Sequence, residues 1–232
     1  RLVGDARAMR QDILNFNGGA ETRVRIASIP SAMSLVAKIT VPFRQRHPTV
    51  RFTVLARSSS VLLNLLHERE VDVGFTYLTN EPIGDASAIP LYRESYLLLT
   101  TPDGPLGYAD RVTWTQAGDV PLCLLDRALQ NRRIIDSILR RVGAEPTPMM
   151  ETDSVAALIA HVRLGEWASI VPNSALEAVD LSDALRAIPI TEPDVSHTIG
   201  FVVSERYPMA PTVAALMTEV RALSPRDLLP AA

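Results

Sequence analysis

Side chains able to hold a small polar ligand recur where strand-like stretches give way to helix-like ones. Ser28 and Ser31 follow the alternating, β-branched run Val24 to Ile29, Ser58, Ser59 and Ser60 follow Val50 to Leu55, and Thr76 lies near the end of Val71 to Tyr77. Thr100 and Thr101 end the apolar stretch that begins at Glu94, Asp126, Gln130 and Asn131 precede one helical segment, and Thr152 and Asp153 precede another. A helix leaves its first N–H groups without internal partners and carries partial positive charge there. Hydroxyls and amides at such positions suit a carboxylate, sulfate or phosphate group. The same residue types are also the preferred N-caps of helices that bind nothing, and capping is the default role for any one of them. Their convergence on strand ends favours binding for the set. Arg57, Arg132 and Arg133 could add a charge-assisted contact, although Arg132 and Arg133 are helix neighbours that cannot both face one side. A solvated surface position is the ordinary alternative for each arginine.

Residues for covalent or metal chemistry are not arranged in this way. His47, His67, His161 and His197 are scattered without metal-ligand spacing. There is no Gly-x-Ser-x-Gly elbow, no phosphate loop ending in Gly-Lys-Ser/Thr and no dinucleotide fingerprint after a strand. Glu68 and Glu70 flank Arg69 on a helix end and are poorly placed as an acid and base pair. The single cysteine, Cys123, sits in the apolar run Pro121 to Leu125 and reads as a small buried hydrophobe before it reads as a nucleophile. The expectation is a binder with no cofactor and no metal.

The elements that would position these residues form a pattern that occurs twice: strand, helix, strand, helix, strand. The second set runs from Leu122 to Leu125, through a helix over Asn131 to Val142, a short strand at Met149 to Glu151 and a helix from Ser154 to Leu164, to a strand at Ala168 to Val171. Strands joined by single helices return to the same end of a sheet and are expected to be parallel. The fold class is therefore α/β, with two similar parallel-sheet lobes and a ligand crevice between them. The chain is expected to cross between lobes near Leu98 to Thr101 and near Glu192 to His197, closing on a helix with Val213, Leu216, Met217, Val220 and Leu223. With 232 residues and 47% hydrophobic content there is enough apolar material for two cores. The net charge of −3 argues against a principal nucleic-acid surface. No stretch approaches the roughly 20 apolar residues of a membrane span, and one cysteine suits a reducing compartment, so the cytoplasm is expected. Leu2, Ala6, Met9, Ile13 and Phe16 recur as a coiled-coil seam ended by Asn17-Gly18-Gly19. Residues 1–19 are thus expected to be the tail of a dimerising linker helix in a longer parent chain, with an ordinary amphipathic helix as the alternative.

Three motifs carry a family likeness: Phe43-Arg44-Gln45-Arg46-His47-Pro48, Val71-Asp72-Val73-Gly74-Phe75, and Val162-Arg163-Leu164-Gly165 running into Ile170-Val171-Pro172. In order and spacing the chain resembles, from Val24 to Leu223, the effector-binding domain of LysR-type transcriptional regulators. The resemblance implies a periplasmic-binding-protein-like type 2 fold, with residues 22–98 plus 197–224 as lobe I and 99–196 as lobe II. It also implies a small effector held between the lobes, which the helix starts favour as an anion, assembly as a dimer or tetramer, and promoter DNA read by a winged helix-turn-helix absent from this sequence. Ser31, Ser59 and Thr152 match positions that contact effectors in relatives. Thr100 ranks next, followed by Ser28, Ser58, Asn131 and Asp126. Two departures bear on pocket shape. Trp167 stands where relatives carry a second glycine, and Pro42 lies late in the first helix, where a kink or a stop near Ile39 is expected. A periplasmic solute-binding protein of a transporter and an enzyme acting on a small carboxylic acid are the alternatives on a similar scaffold.

Overall fold

The computed structural model describes residues 22–79, 81–178, 184–204, 209–224 and 228. The seam from Leu2 to Phe16 lies outside the described residues. In chain order the elements are β1 (Thr22–Ser28), α1 (Met33–Arg46), β2 (Val50–Ala56), α2 (Ser59–His67), β3 (Val73–Tyr77), β4 (Ala86–Glu94), β5 (Tyr96–Thr100) and β6 (Val112–Thr113). They continue with α3 (Trp114–Gly118), β7 (Cys123–Leu125), α4 (Gln130–Arg141), β8 (Met150–Thr152), α5 (Val155–Val162), β9 (Ser169–Pro172), β10 (Arg186–Thr191), β11 (His197–Ser204) and α6 (Pro211–Ala222). The chain divides into two compact units, the first holding the described residues through Tyr92 and from Thr198, the second those from Arg93 to His197.

The first unit is built on a five-stranded sheet in the order β2-β1-β3-β11-β4. Its parallel heart is the expected one: β1 lies along β2 from Thr22↔Val50 to Ser28↔Ala56, and along β3 from Ile26↔Val73 to Ser28↔Phe75. Beyond this heart the sheet is mixed, because β11 runs antiparallel to β3 with Phe201 opposite Phe75. The two rings meet edge to face at 5.4 Å. Gly74 lets α2 come close, since a Cβ there would lie 2.6 Å from the Leu62 side chain. Asp72 clamps the entry to β3: its carboxylate accepts from the Arg25 N–H at 2.7 Å, and its own N–H donates to the Arg25 carbonyl at 2.8 Å.

Helix α1 does not stop at Ile39 but runs through Pro42 to Arg46. Proline takes one N–H out of the ladder. The apolar side chains of Ile39 and Phe43, both buried, hold the helix on the sheet on either side of that gap. The end comes where His47-Pro48 requires it, with the His47 N–H donating to the Phe43 carbonyl at 2.9 Å.

The second unit has a four-stranded sheet in the order β6-β10-β5-β9 and a parallel pair, β7 and β8. The β5 strand is antiparallel to both β10 and β9. Leu99, Cys123, Leu125, Leu158, Val162 and Val171 form its core. Helix α4 buries Ile134, Ile135, Ile138 and Leu139, and Trp114 at the start of α3 is wholly buried, its indole N–H donating to the Pro193 carbonyl at 3.1 Å. Gly165 ends the turn after α5 at φ +86°, a conformation that favours glycine. Trp167 finds its partner in His161, with the rings 5.7 Å apart and 4° from parallel.

Candidate functional site

The register of the first sheet gathers its polar residues at one end. Ser28 stands beside Ala56 and Phe75, the Arg57 N–H donates to the Ser28 carbonyl at 2.9 Å, and the Ile29 N–H donates to the Phe75 carbonyl at 3.1 Å. The carboxyl ends of β1, β2 and β3 are thereby laced together, and Ser28, Ser58, Ser59 and Thr76 follow from neighbouring strands. Their hydroxyls are used differently. The Ser28 hydroxyl is fully buried and donates to the Ile29 carbonyl at 3.0 Å. Ser31 is buried within a short helical turn, Pro30–Ala32, that precedes α1. Ser58 occupies the N-cap of α2 yet makes no side-chain capping bond, and its oxygen lies 3.4 Å from that of Ser60. Ser59, the first residue of α2, is 1% exposed and accepts a hydrogen bond from the Thr76 hydroxyl at 3.0 Å.

In the second unit the β7–β8 pairing ends at Leu125↔Thr152 and is prolonged by the Asp126 N–H donating to the Thr152 carbonyl at 2.8 Å. Asp126 and Thr152 are therefore neighbours. The Asp126 carboxylate accepts from the Ala128 N–H at 2.7 Å, shaping the turn into α4, and the Thr152 hydroxyl accepts from the Ser154 N–H at 3.1 Å. Helix α5 is then capped by Ser154, whose oxygen accepts from the Ala157 N–H at 3.2 Å. Asn131, second residue of α4, is buried. Thr100 is fully buried at the end of β5, and Gly104 folds over it so closely that a Cβ there would lie 2.8 Å from the Thr100 hydroxyl oxygen. That hydroxyl faces its own loop.

The arginines divide in a way their adjacency in sequence does not reveal. Arg132 is 1% exposed, its Nε donating to Asp136 at 2.7 Å and its Nη1 to the Leu125 carbonyl at 2.8 Å and to Glu151. It is neither a solvated side chain nor a free anion contact: it binds α4 to the ends of β7 and β8. Arg133 donates to the carbonyls of Arg127 and Ala128 at 3.1 and 2.7 Å. Arg57 stays exposed, donating to the Ala56 carbonyl at 2.7 Å. The Arg132–Asp136 pair is four residues apart on one helix and could be read from sequence, whereas the Thr76–Ser59 bond and the Arg132 contacts to Leu125 and Glu151 form only when the chain packs.

Reactive chemistry finds little purchase. Cys123 is buried, and burial pushes its thiol up to about 11, far from a nucleophilic thiolate at neutral pH. Burial, with Arg93 nearby, pulls His197 below the ordinary histidine range. Among the described residues no group of three or more His, Cys, Asp or Glu side chains is arranged to hold a metal ion, and no helix is long and apolar enough to cross a membrane.

Two α/β units with hydroxyl-bearing residues and helix starts at their strand ends define a fold shared with solved regulatory and effector-binding domains. The CcmR regulatory domain of Synechocystis PCC6803 in complex with 2-PG superposes with a TM-score of 0.77 at 15% identity, covering 86% of this chain and 96% of that one. The effector-binding domain of QuiR in complex with shikimate gives 0.76 at 17% identity, covering 90% of this chain and all (100%) of that one. Residues 17–224 match the LysR substrate binding domain, and the chain belongs to that family. Among curated relatives, the HTH-type transcriptional regulator YfeR of Shigella flexneri is 25% identical over 195 residues, covering 83% of this chain and 63% of its own length. The transcriptional activator protein LysR of Escherichia coli is 24% identical over 228 residues, covering 97% of this chain and 70% of its own. The chain thus spans somewhat under two thirds of the YfeR relative. Membership in this family takes the place of the transport-receptor alternative.

Proposed function

We propose that this chain is the effector-sensing part of a LysR-type transcriptional regulator, and that its effector is a small anionic metabolite engaged by strand-end groups of the two units. Ser31, Ser59 and Thr152 are the leading contacts, with Ser28, Ser58, Asn131 and Asp126 around them. Thr100, covered by Gly104 at the end of β5 and inside the second unit, is the weakest of the set. The observation that carries the reading is the laced end of the first sheet, where α2 starts with a buried serine and an N-cap side chain that does not cap. Such a helix start offers N–H donors and positive potential to an oxyanion. A thiol-based signal would need an exposed cysteine of low pKa, and Cys123 is the opposite. The chain is read as a binder that returns its ligand unchanged, working in the cytoplasm as a homo-oligomer whose parent protein contacts promoter DNA through a further domain. One neighbour of the same fold is full-length CbnR complexed with its target DNA, superposing with a TM-score of 0.75.

A metabolite screen by thermal unfolding tests the reading. A ligand at one hundred times its Kd adds about 2.7 kcal/mol of stability. Ser59→Ala and Thr152→Ala each remove a polar contact and should weaken a hit by about tenfold or less, the worth of one hydrogen bond. Unchanged affinity in both variants overturns the site, and chemical turnover of the hit overturns the reading as a binder.

A further inference from the structure

We infer that Thr76 is a positioning residue that fixes Ser59 as a hydrogen-bond donor, so that the ligand group met at the start of α2 is an acceptor, an oxyanion oxygen rather than an amine or amide N–H. The inference rests on the proposed binding role of Ser59 and adds the polarity of the contact.

Thr76 lies in β3, every residue of which is buried. Side chains alternate along a strand, so Thr76 shares a face with Gly74, and that is the face on which Leu62 of α2 packs. The Thr76 hydroxyl is therefore held beneath the first turn of α2, wholly out of contact with water. A buried hydroxyl without a partner is costly. Its proton goes to the Ser59 oxygen, 3.0 Å away.

A serine hydroxyl has one proton and two acceptor lone pairs. With one lone pair taken from below by Thr76, the Ser59 proton cannot point back into the sheet and is directed away from β3. The neighbouring groups add to the same polarity. The Ser58 side chain makes no capping bond, and the first N–H of this stretch with a backbone partner is that of Leu62, donating to the Ser58 carbonyl at 2.8 Å. The N–H groups at the start of a helix ahead of that bond have no intrahelical acceptor. A ligand group placed there meets donors, and an oxyanion oxygen answers them whether it belongs to a carboxylate, a phosphate or a sulfate. Threonine suits the role better than serine would on propensity alone, because its β-branch favours the strand while its hydroxyl serves the helix.

The test has one arm that needs no ligand. Ser59→Cys places a thiol where the hydroxyl stood, and a hydrogen bond donated to its sulfur stabilises the thiolate and lowers its pKa. Burial raises any thiol at this 1% exposed position, so the readout is the difference between variants in ultraviolet thiolate absorbance across pH. The native Cys123, pushed up to about 11 by burial, is subtracted with the parent chain as reference. Adding T76V should raise the S59C thiol by about one pH unit, a tenfold loss of thiolate, and adding T76S should not. Equal titration in S59C and S59C/T76V overturns the inference. The second arm measures stabilisation of the chain by inorganic sulfate, shikimate and 2-PG. Whichever binds should lose about fivefold to tenfold in affinity in T76V and little in T76S. A bound oxyanion that ignores T76V overturns the positioning role while leaving the site in place. A screen in which amines bind through Ser59 and oxyanions do not overturns the inferred polarity and the anionic-effector reading together, whatever the thiol shows.

Discussion

Arg132 is almost fully buried, with one nitrogen on Asp136 and another shared between Glu151 and the last carbonyl of β7. Removing one partner of a buried pair costs more than the pair contributes, because the remaining charges stay where they were. Glu151 is 43% exposed and can rehydrate, so the loss in Arg132→Ala belongs at the lower end of the usual range, about 3 kcal/mol. Urea denaturation measures it; a loss below about 1 kcal/mol, the level of a surface pair, would show that the guanidinium does not hold α4 to β7 and β8. Sequence reasoning reached the polar residues of the proposed site but not their bonds. The positions of Ser28, Ser58, Ser59, Asp126 and Thr152 were legible because strand ends followed by helix starts select short polar side chains. What each hydroxyl does depends on register: Ser59 and Thr76 are 17 residues apart and meet only because α2 folds back over β3. Ser58 looked like a cap, stands at the cap position, and makes no cap.

At the level of elements, α1 and α6 are tied at the surface by Glu219, which accepts from the Arg46 Nε at 2.9 Å, pairs with the Arg46 Nη2 and lies 3.4 Å from the His47 ring. The Arg46 hydrogen bond, foremost, holds the Glu219 carboxyl below its ordinary value of 4.5. A carboxyl depressed in the folded state contributes stability that is present above 4.5 and lost as pH falls through its folded value. On β11, His197 is held below 6.5 by burial, with Arg93 adding to it, and bonds the Tyr96 hydroxyl at 3.1 Å. The unfolded chain takes up that proton first, so stability is again full above 6.5 and falls with acidification. Two acid steps are expected in melting temperature against pH. His197→Gln should flatten the upper one and Glu219→Gln the lower, and a variant that leaves its step intact refutes the assignment. The parallel hearts were legible because a strand, one helix and another strand leave no other topology. The strands β4 and β10 were not. Ala86–Glu94 carries Pro90, tolerable because β4 is the sheet edge, and Arg186–Thr191 carries Pro189 just before the residues that pair with β6. Prolines and short pairings hid both from a pattern built on alternation, although Thr113 with Gln116, the capping box of α3, was a readable helix start.

On the scale of the whole molecule, the family and the two units define what a bound effector must do to carry a signal. A ligand can shift a conformational equilibrium only by its differential affinity for the states involved, and contact with groups of both units is one way to obtain it. Hydrogen exchange distinguishes the cases in one experiment. At one hundred times its Kd, an effector slows amides that open only by global unfolding by about a hundredfold, the kinetic face of about 2.7 kcal/mol. If the proposed contacts in both units share one ligand, that slowing should appear in β1 and β3 of the first unit and in β7 and β9 of the second. It should be joined by local protection at the first N–H groups of α2 and α5, all with the same concentration dependence. Ser59→Ala should then weaken protection at Val155 and Ala156 as much as at Ser60 and Val61, although Ser59 belongs to the first unit alone. Protection confined to the first unit, or two concentration dependences, would mean that the effector is held by one unit and that the signal travels by some route other than a shared ligand.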